Sequence, residues 1–161
     1  MRVEEVGPDR WEVWREIRLR SLAEDPDAFG STYEREAEFD EETWRSRVDG
    51  TSGPAVLAFV HDVPVGMGGG FRHEPGSLTV VAMWTEPAWR GRGVGGRVLE
   101  HVVRWARTRR LATELWVADA NLGARRLYER HGFRGDGRSE PLRQGSTISM
   151  SHLVLDISDA R

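Results

Sequence analysis

Four glycines and three arginines lie within the eight residues 90–97, in the order Arg-Gly-Arg-Gly-Val-Gly-Gly-Arg. Glycine lets the backbone approach a ligand closely and adopt conformations that are closed to other residues. The segment leads into a helical pattern, and the free N–H groups of a first helical turn attract anions, helped by the helix dipole. In a chain of net charge −3, this local cluster of arginines indicates a site for a phosphate-bearing ligand.

Two familiar phosphate motifs fit this loop poorly. The Walker loop requires lysine, and the chain contains none. The dinucleotide fingerprint G-x-G-x-x-G is matched literally by Gly91, Gly93 and Gly96, and Asp119 follows the next strand, where an acidic ribose ligand would lie. That fingerprint needs a tight turn directly after its strand and further strand–helix units. Here residues 86–90 intervene, and only strands follow the later helix.

A third motif, R-x-x-G-x-G at the start of a helix, is matched by Arg90, Gly93 and Gly95. The loop stands between an apolar strand and an amphipathic helix, as this motif requires. The competing interpretation is a flexible turn that happens to be rich in arginine. The density of glycine and arginine at this one junction favours a binding loop.

The periodicity of the flanking segments predicts the elements that hold this loop. Their order is strand, two helices, three antiparallel strands, helix, strand, helix and two strands. We therefore expect one domain, 1–161, of the α/β (α+β) class. It has a mixed, mostly antiparallel sheet of six to seven strands with about four helices on both faces. The predicted strands are 2–6, 55–60, 65–72, 78–85, 115–118, one from Phe133 and 147–156, and the predicted helices are 9–23, 40–49, 94–106 and 121–131, with 28–38 unassigned and a polar loop after Phe133.

Two segments together resemble the GCN5-related N-acetyltransferase superfamily. Residues 83–95, MWTEPAWRGRGVG, are similar to its cofactor-binding strand, loop and helix start. Residues 121–133, NLGARRLYERHGF, resemble its later N-x-x-A-x-x-L-Y-x-x-x-G-F helix. The predicted order of elements agrees with that fold from end to end. The sequence departs from the usual pattern at Thr85 and Trp89, and neither departure threatens cofactor binding, because the backbone makes those contacts.

The resemblance implies acetyl-CoA as co-substrate and direct acetyl transfer to an amine. The strand end would pair its backbone with pantetheine, and a backbone N–H there would polarise the thioester carbonyl. Asn121 would hydrogen-bond the pantetheine, and Tyr128 would be the general acid for the departing thiolate, which is close to tyrosine in basicity. Tyr128 also falls on an apolar helical stripe, where packing is the alternative. The implied cofactor-binding residues are Met83, Trp84, Thr85, Arg90, Gly91, Arg92, Gly93, Val94, Gly95, Gly96, Asn121 and Tyr128.

Composition excludes several other chemistries. Without lysine or cysteine there is no Schiff base, thiol nucleophile, disulfide or thiolate metal site. The histidines lack metal-ligand spacing and are interpreted as surface or satisfied core residues, so we expect no metal. No apolar run approaches the roughly 20 residues of a membrane span, and no signal core opens the chain. We expect a cytoplasmic protein that binds neither membrane nor nucleic acid.

The sequence indicates less about the amine acceptor than about the cofactor. Residues 24–49 contain ten acidic residues against three arginines, so we expect carboxylates there to attract a cationic amine. Glu34 or Glu36 would act as general base through water; a solvated helical face is the alternative. The loop 134–146 is interpreted as a second acceptor wall or a homodimer contact. The acceptor is a small molecule or a protein, and two alternatives remain open: a non-catalytic acyl-CoA sensor and a longer acyl donor.

Overall fold

The computed structural model describes residues 1–155. The five α-helices are α1 Trp11–Glu24, α2 Tyr33–Ala37, α3 Glu41–Ser46, α4 Val94–Thr108 and α5 Leu122–Arg130. The seven strands are β1 Arg2–Glu5, β2 Ala55–Val60, β3 Val63–Phe71, β4 Ser77–Thr85, β5 Ala112–Ala118, β6 Phe133–Pro141 and β7 Ser149–Leu155.

The strands form one mixed sheet in the order β1-β2-β3-β4-β5-β7-β6. Only the β4–β5 pair is parallel, because α4 crosses between these two strands, and the other neighbours are antiparallel. The predicted fold class is therefore confirmed, with seven strands. The fifth helix is the short α2, which forms inside the stretch that the sequence left unassigned.

Each face of the sheet carries its own core. Val94, Val98 and Val102 recur at helical spacing and bury one face of α4 on the sheet, and α5 packs on the same side. On the opposite face Trp14 and Ile17 of α1 pack on β2 and β3, together with α3. The carboxyl ends of β4 and β5 therefore lie between two helix layers, one on each face of the sheet.

Two capping residues were predicted, one for the first helix and one for α3, and only the second prediction holds. Asp40 caps α3 as predicted, because its Oδ1 accepts a hydrogen bond from the N–H of Thr43 at 2.9 Å. Asp9 was predicted to cap the first helix, and this is wrong. A turn of 3-10 helix at Pro8–Arg10 precedes α1, and neither start has a side-chain cap.

Two further features differ from the prediction, and one predicted boundary cannot be compared. The polar segment after Phe133 is not a loop: it continues as β6 to Pro141, an edge strand that is exposed beyond its first residue. Because β6 lies at the edge of the sheet and is mostly exposed, its sequence is polar and lacks the apolar pattern that predicts a strand. β4 is not covered on both faces throughout, since Val81 is 37% exposed. The predicted last residue of the final strand, Asp156, lies outside the described residues.

His152 is buried and satisfied, as interpreted from the sequence. Its Nδ1 lies 2.6 Å from Asp136 Oδ2, and its Nε2 lies 3.1 Å from Glu114 Oε2. Within residues 1–155 no cluster of His, Asp and Glu side chains could hold a metal ion. The same residues include no helix that is long and apolar enough to cross a membrane.

Candidate active site

β4 and β5 separate towards their carboxyl ends and open a cleft in the sheet. Their parallel pairing stops at Val80 and Leu115, although the strands continue to Thr85 and Ala118. Beside the separation, Ala82 has a φ of 59° and the β3–β4 register shifts. Such bulges re-aim a strand and are common next to active sites. The edge of β4 that faces β5 is therefore free to hydrogen-bond a ligand.

The cleft has a volume of about 1050 Å³ and runs from the glycine-rich loop to the segment that follows α1. Its floor is the end of β4, one wall is α5, and the other is the loop with the start of α4. All but one of the twelve predicted cofactor-binding residues line this cleft. The lining residues among them are Met83, Trp84, Thr85, Arg90, Gly91, Gly93, Val94, Gly95, Gly96, Asn121 and Tyr128.

The glycine-rich loop forms an anion cradle at the start of α4. Gly91 and Gly93 have φ values of 76° and 81°, in the left-handed region that favours glycine. Gly93 immediately precedes the helix and exposes the N–H groups of its first turn. A Cβ on Gly95 would approach Leu127 Cδ2 to 3.1 Å, so this glycine allows α4 and α5 to lie close together. The arrangement fits a pyrophosphate bound by backbone N–H groups.

The side chains of the three loop arginines are engaged by other parts of the protein. Arg90 donates to the carbonyl of Thr85 at 3.0 Å and to Asp25 at 2.7 Å. Arg92, the predicted residue that does not line the cleft, stacks over the ring of Trp89, and Arg97 donates to the carbonyl of Met1. The phosphate end is therefore formed mainly by backbone and not by the arginine side chains of the loop.

Two arginines that the sequence analysis did not single out face the cleft from α5. Arg126 and Arg130 are four residues apart, so they lie on one side of the helix, and both line the cleft. Their spacing within the Asn121–Phe133 motif was the signal that could have found them. They supply positive charge on the wall opposite the glycine-rich loop.

Asn121 and Tyr128 stand at the start and the last turn of α5. The side-chain oxygen of Asn121 caps the helix by accepting from the N–H of Ala124 at 3.2 Å, which leaves its NH₂ group available to a ligand. Tyr128 is 7% exposed and packs edge-on against Phe133. Its hydroxyl makes no hydrogen bond within the described residues, and burial raises its pKa above the ordinary value near 10.

The placement of Glu36 contradicts a role as general base. Its carboxylate is fully buried and accepts two hydrogen bonds of 3.0 Å from Arg18. Burial alone would raise the pKa of Glu36, but the hydrogen bonds and charge of Arg18 outweigh it and lower this pKa. Glu34 is exposed on α2 and is not among the cleft residues. The number of acidic residues in 24–49 therefore did not indicate which of their carboxylates line the cleft.

Three other carboxylates of the acidic stretch line the cleft. Glu24, Asp25 and Asp27 lie in the segment 24–28, where α1 ends and a 3-10 turn begins. Within the described residues Glu24 and Asp27 make neither an ion pair nor a side-chain hydrogen bond. This end of the cleft is therefore acidic, in contrast to the phosphate end.

The β6–β7 connection completes the acidic end. Arg143 donates to the carbonyl of Phe29 at 2.7 Å and to that of Pro26 at 3.2 Å, and Ile148 lines the cleft. A second, smaller pocket of about 60 Å³ shares Tyr128 with the cleft and is also lined by Val81 and Trp116. Ile148 lies just beyond the segment 134–146 that was predicted as an acceptor wall or dimer contact, and that prediction stays a prediction.

This geometry can be compared with known proteins. The family model described as "Acetyltransferase (GNAT) family" matches residues 11–133. The chain belongs to the GNAT acetyltransferase family. The resemblance drawn from the two motifs is confirmed, and with it the assignment as an acetyl-CoA-dependent N-acetyltransferase.

Solved GNAT structures share the fold at low sequence identity. The ribosomal-protein-alanine N-acetyltransferase of Brucella melitensis is 15% identical with a TM-score of 0.78, covering 96% of this chain and 98% of that one. The ribosomal-protein-S18-alanine N-acetyltransferase of Escherichia coli is 17% identical with a TM-score of 0.71, covering 96% and 92%. The yncA protein of Salmonella typhimurium, solved with acetyl-CoA, is 15% identical with a TM-score of 0.78, covering 98% and 94%. No curated protein matches the chain.

Proposed function

We propose that this GNAT enzyme transfers the acetyl group of acetyl-CoA directly to the primary amine of a cationic acceptor, with Tyr128 as the acid. The observation that carries the proposal is the position of Tyr128. It lines the large cleft together with both the predicted cofactor-binding residues and the carboxylates of the segment 24–28, and it also lines the small pocket beside that cleft.

When bound, acetyl-CoA supplies a thioester whose carbonyl carbon is attacked by a neutral amine, so that a C–N bond forms, the C–S bond breaks and CoA leaves as a thiolate. The proton lost by the nitrogen balances the proton gained by sulfur. The chain has no cysteine or lysine that could carry the acetyl group as a covalent intermediate on those side chains. Its residues bind, orient and move protons.

Tyr128 is suited to stabilise the departing thiolate. Because burial raises the pKa of its hydroxyl, the group keeps its proton throughout the neutral range. A thiol has a pKa of about 8.5, so complete transfer from Tyr128 would be uphill. The hydroxyl would therefore act first as a hydrogen-bond donor to the developing charge, which is an interaction made mainly in the transition state.

The acidic end supports a cationic acceptor. Glu24 and Asp27 face the cleft without a cationic partner within the described residues. Carboxylates of this kind raise the local concentration of a protonated amine and can accept its proton through water before attack.

The proposal is tested by thiol release from acetyl-CoA with a panel of amines. Small polyamines, amino sugars and peptides with free N-termini would represent small-molecule and protein acceptors. Replacing Tyr128 by Phe should lower kcat by about 10²-fold or more, the usual worth of an acid–base group, while the Kd for CoA measured by calorimetry stays within twofold. Unchanged kcat would remove Tyr128 from the mechanism. Tight CoA binding without thiol release for any amine would favour the sensor alternative.

A further inference from the structure

One carboxylate at the acidic end reaches back to the cofactor end. Asp25 is the residue at which α1 terminates, and its N–H donates to the carbonyl of Ser21 at 2.9 Å. Its Oδ2 accepts a hydrogen bond from Trp84 Nε1 and another from Arg90 Nη2, each at 2.7 Å. A single oxygen therefore joins three parts of the cleft: the segment 24–28, the end of β4 and the first residue of the phosphate loop.

Each of the two donors is fixed by further contacts. Trp84 is 6% exposed, and the guanidinium of Arg20 lies over its ring. Arg90 is held by a second hydrogen bond, to the carbonyl of Thr85 at 3.0 Å. Because the buried indole N–H must find an acceptor, the position of Asp25 is dictated from the cofactor side.

The segment that Asp25 holds carries the acceptor-side groups. Glu24 and Asp27 flank it in sequence and line the same cleft. The outer side of this segment is held by Arg143, through the carbonyls of Pro26 and Phe29. Asp25 is its attachment on the inner side, towards the reacting atoms.

We infer that Asp25 is a positioning residue that fixes the acceptor-side segment 24–28 against the cofactor-binding end of β4 and the phosphate loop. The inference rests on the proposed function for its kinetic consequence. Removing the carboxylate releases the segment, so attack by the amine becomes less well oriented. It also frees the charge of Arg90 beside a cleft that binds an anionic cofactor, so CoA binding should not weaken.

The experiment compares Asp25→Ala and Asp25→Asn with the wild-type enzyme. We expect kcat/KM for the amine to fall about tenfold or more in Asp25→Ala, as for loss of charge-assisted hydrogen bonds. The Kd for CoA, measured by calorimetry without acceptor, should stay unchanged or become tighter. Asp25→Asn retains an acceptor oxygen for Trp84 and should lose less. Glu41→Gln is the matched control, because it breaks an exposed carboxylate–arginine pair outside the cleft and should change neither quantity.

A spectroscopic readout separates positioning from a merely structural role. The indole ¹H–¹⁵N signal of Trp84, identified by its loss in Trp84→Phe, should move upfield in Asp25→Ala and less in Asp25→Asn. An unmoved Trp84 signal, an unchanged kcat/KM in Asp25→Ala, or a loss of CoA affinity equal to the loss of turnover would each overturn the inference. If the wild-type enzyme releases no thiol with any amine, the proposed function fails, and the Trp84 signal together with the CoA affinity still decides whether Asp25 makes this link.

Discussion

The two ends of the cleft are built in different ways. The cofactor end is made largely of backbone: the free edge of β4, the left-handed glycines and the N–H groups that open α4. The proposed acceptor end consists of side chains of the segment 24–28 and of Ile148, and Arg143 of the β6–β7 connection donates to the carbonyls of Pro26 and Phe29. A backbone site tolerates many side chains, provided that the conformation is kept. A side-chain site changes with every substitution, so the two ends should respond to mutation in opposite ways.

The largest expected effect concerns a carboxylate that belongs to neither end. Glu36→Gln breaks the pair between this fully buried carboxylate and Arg18, whose side chain is 12% exposed, and removing one partner of a buried pair costs about 3–5 kcal/mol. We expect the free energy of unfolding to fall by about 3 kcal/mol in chemical denaturation at pH 7, while turnover per folded molecule stays the same. A loss of turnover in the folded fraction would mean that the acceptor end extends to α2.

The same pair predicts a pH dependence. The folded-state pKa of Glu36 lies below its ordinary value of 4.5, so its contribution to stability is present above pH 4.5 and is lost as the pH falls through the folded pKa. Glu36→Gln should therefore lose less stability than the wild type on acidification below pH 4.5. Parallel acid-unfolding curves for the two proteins would contradict the assignment of Glu36 as an ionised partner of Arg18.

The next prediction tests the backbone end. Gly93→Val places a β-branched residue at a φ of 81°, where non-glycine residues cost about 1–2 kcal/mol. Because relief of this strain must move the N–H groups that open α4, we expect the Kd for CoA to rise about tenfold or more in calorimetry. Gly50→Val is the matched control: Gly50 has a φ of 82° and open space around it, and it does not line the cleft. It should lose similar stability and keep its CoA affinity, and an equal loss of affinity in both variants would refute the cradle.

The same difference between the ends explains what the sequence could predict. Gly91 and Gly93 indicate a left-handed backbone and the Asn121–Phe133 motif indicates a helix, so the sequence predicted the local structure at this end of the cleft. The side chains that form the acceptor end are brought together by tertiary structure. Residues 24–28 and 142–148 are more than a hundred positions apart, and neither sequence contains a pattern that predicts contact with the other.

The errors have physical causes as well. Glu36 and Asp27 are both carboxylates of the acidic stretch, and only the packing of α2 against α1 decides that one is buried with Arg18 while the other faces the cleft. Arg90 fitted a phosphate-binding motif, but its guanidinium is engaged by Asp25 and Thr85. The loop lines the cleft as the pattern predicted, and Arg90 lines it while its guanidinium is hydrogen-bonded within the protein.

The smallest expected effect tests the acceptor end. Replacing Glu24 by Gln and Asp27 by Asn together should raise KM for a cationic amine about fivefold, because exposed charge pairs are worth at most about 1 kcal/mol. The increase should shrink at high salt, where the screening length falls from about 10 Å to about 3 Å, and it should vanish for an amine that is uncharged at the assay pH. Steady-state kinetics at two ionic strengths measure both. An unchanged KM would place amine recognition elsewhere, on the β6–β7 side of the cleft. A loss of 10²-fold in kcat instead would make one of these carboxylates the base, and the acceptor end would then contribute chemistry as well as attraction.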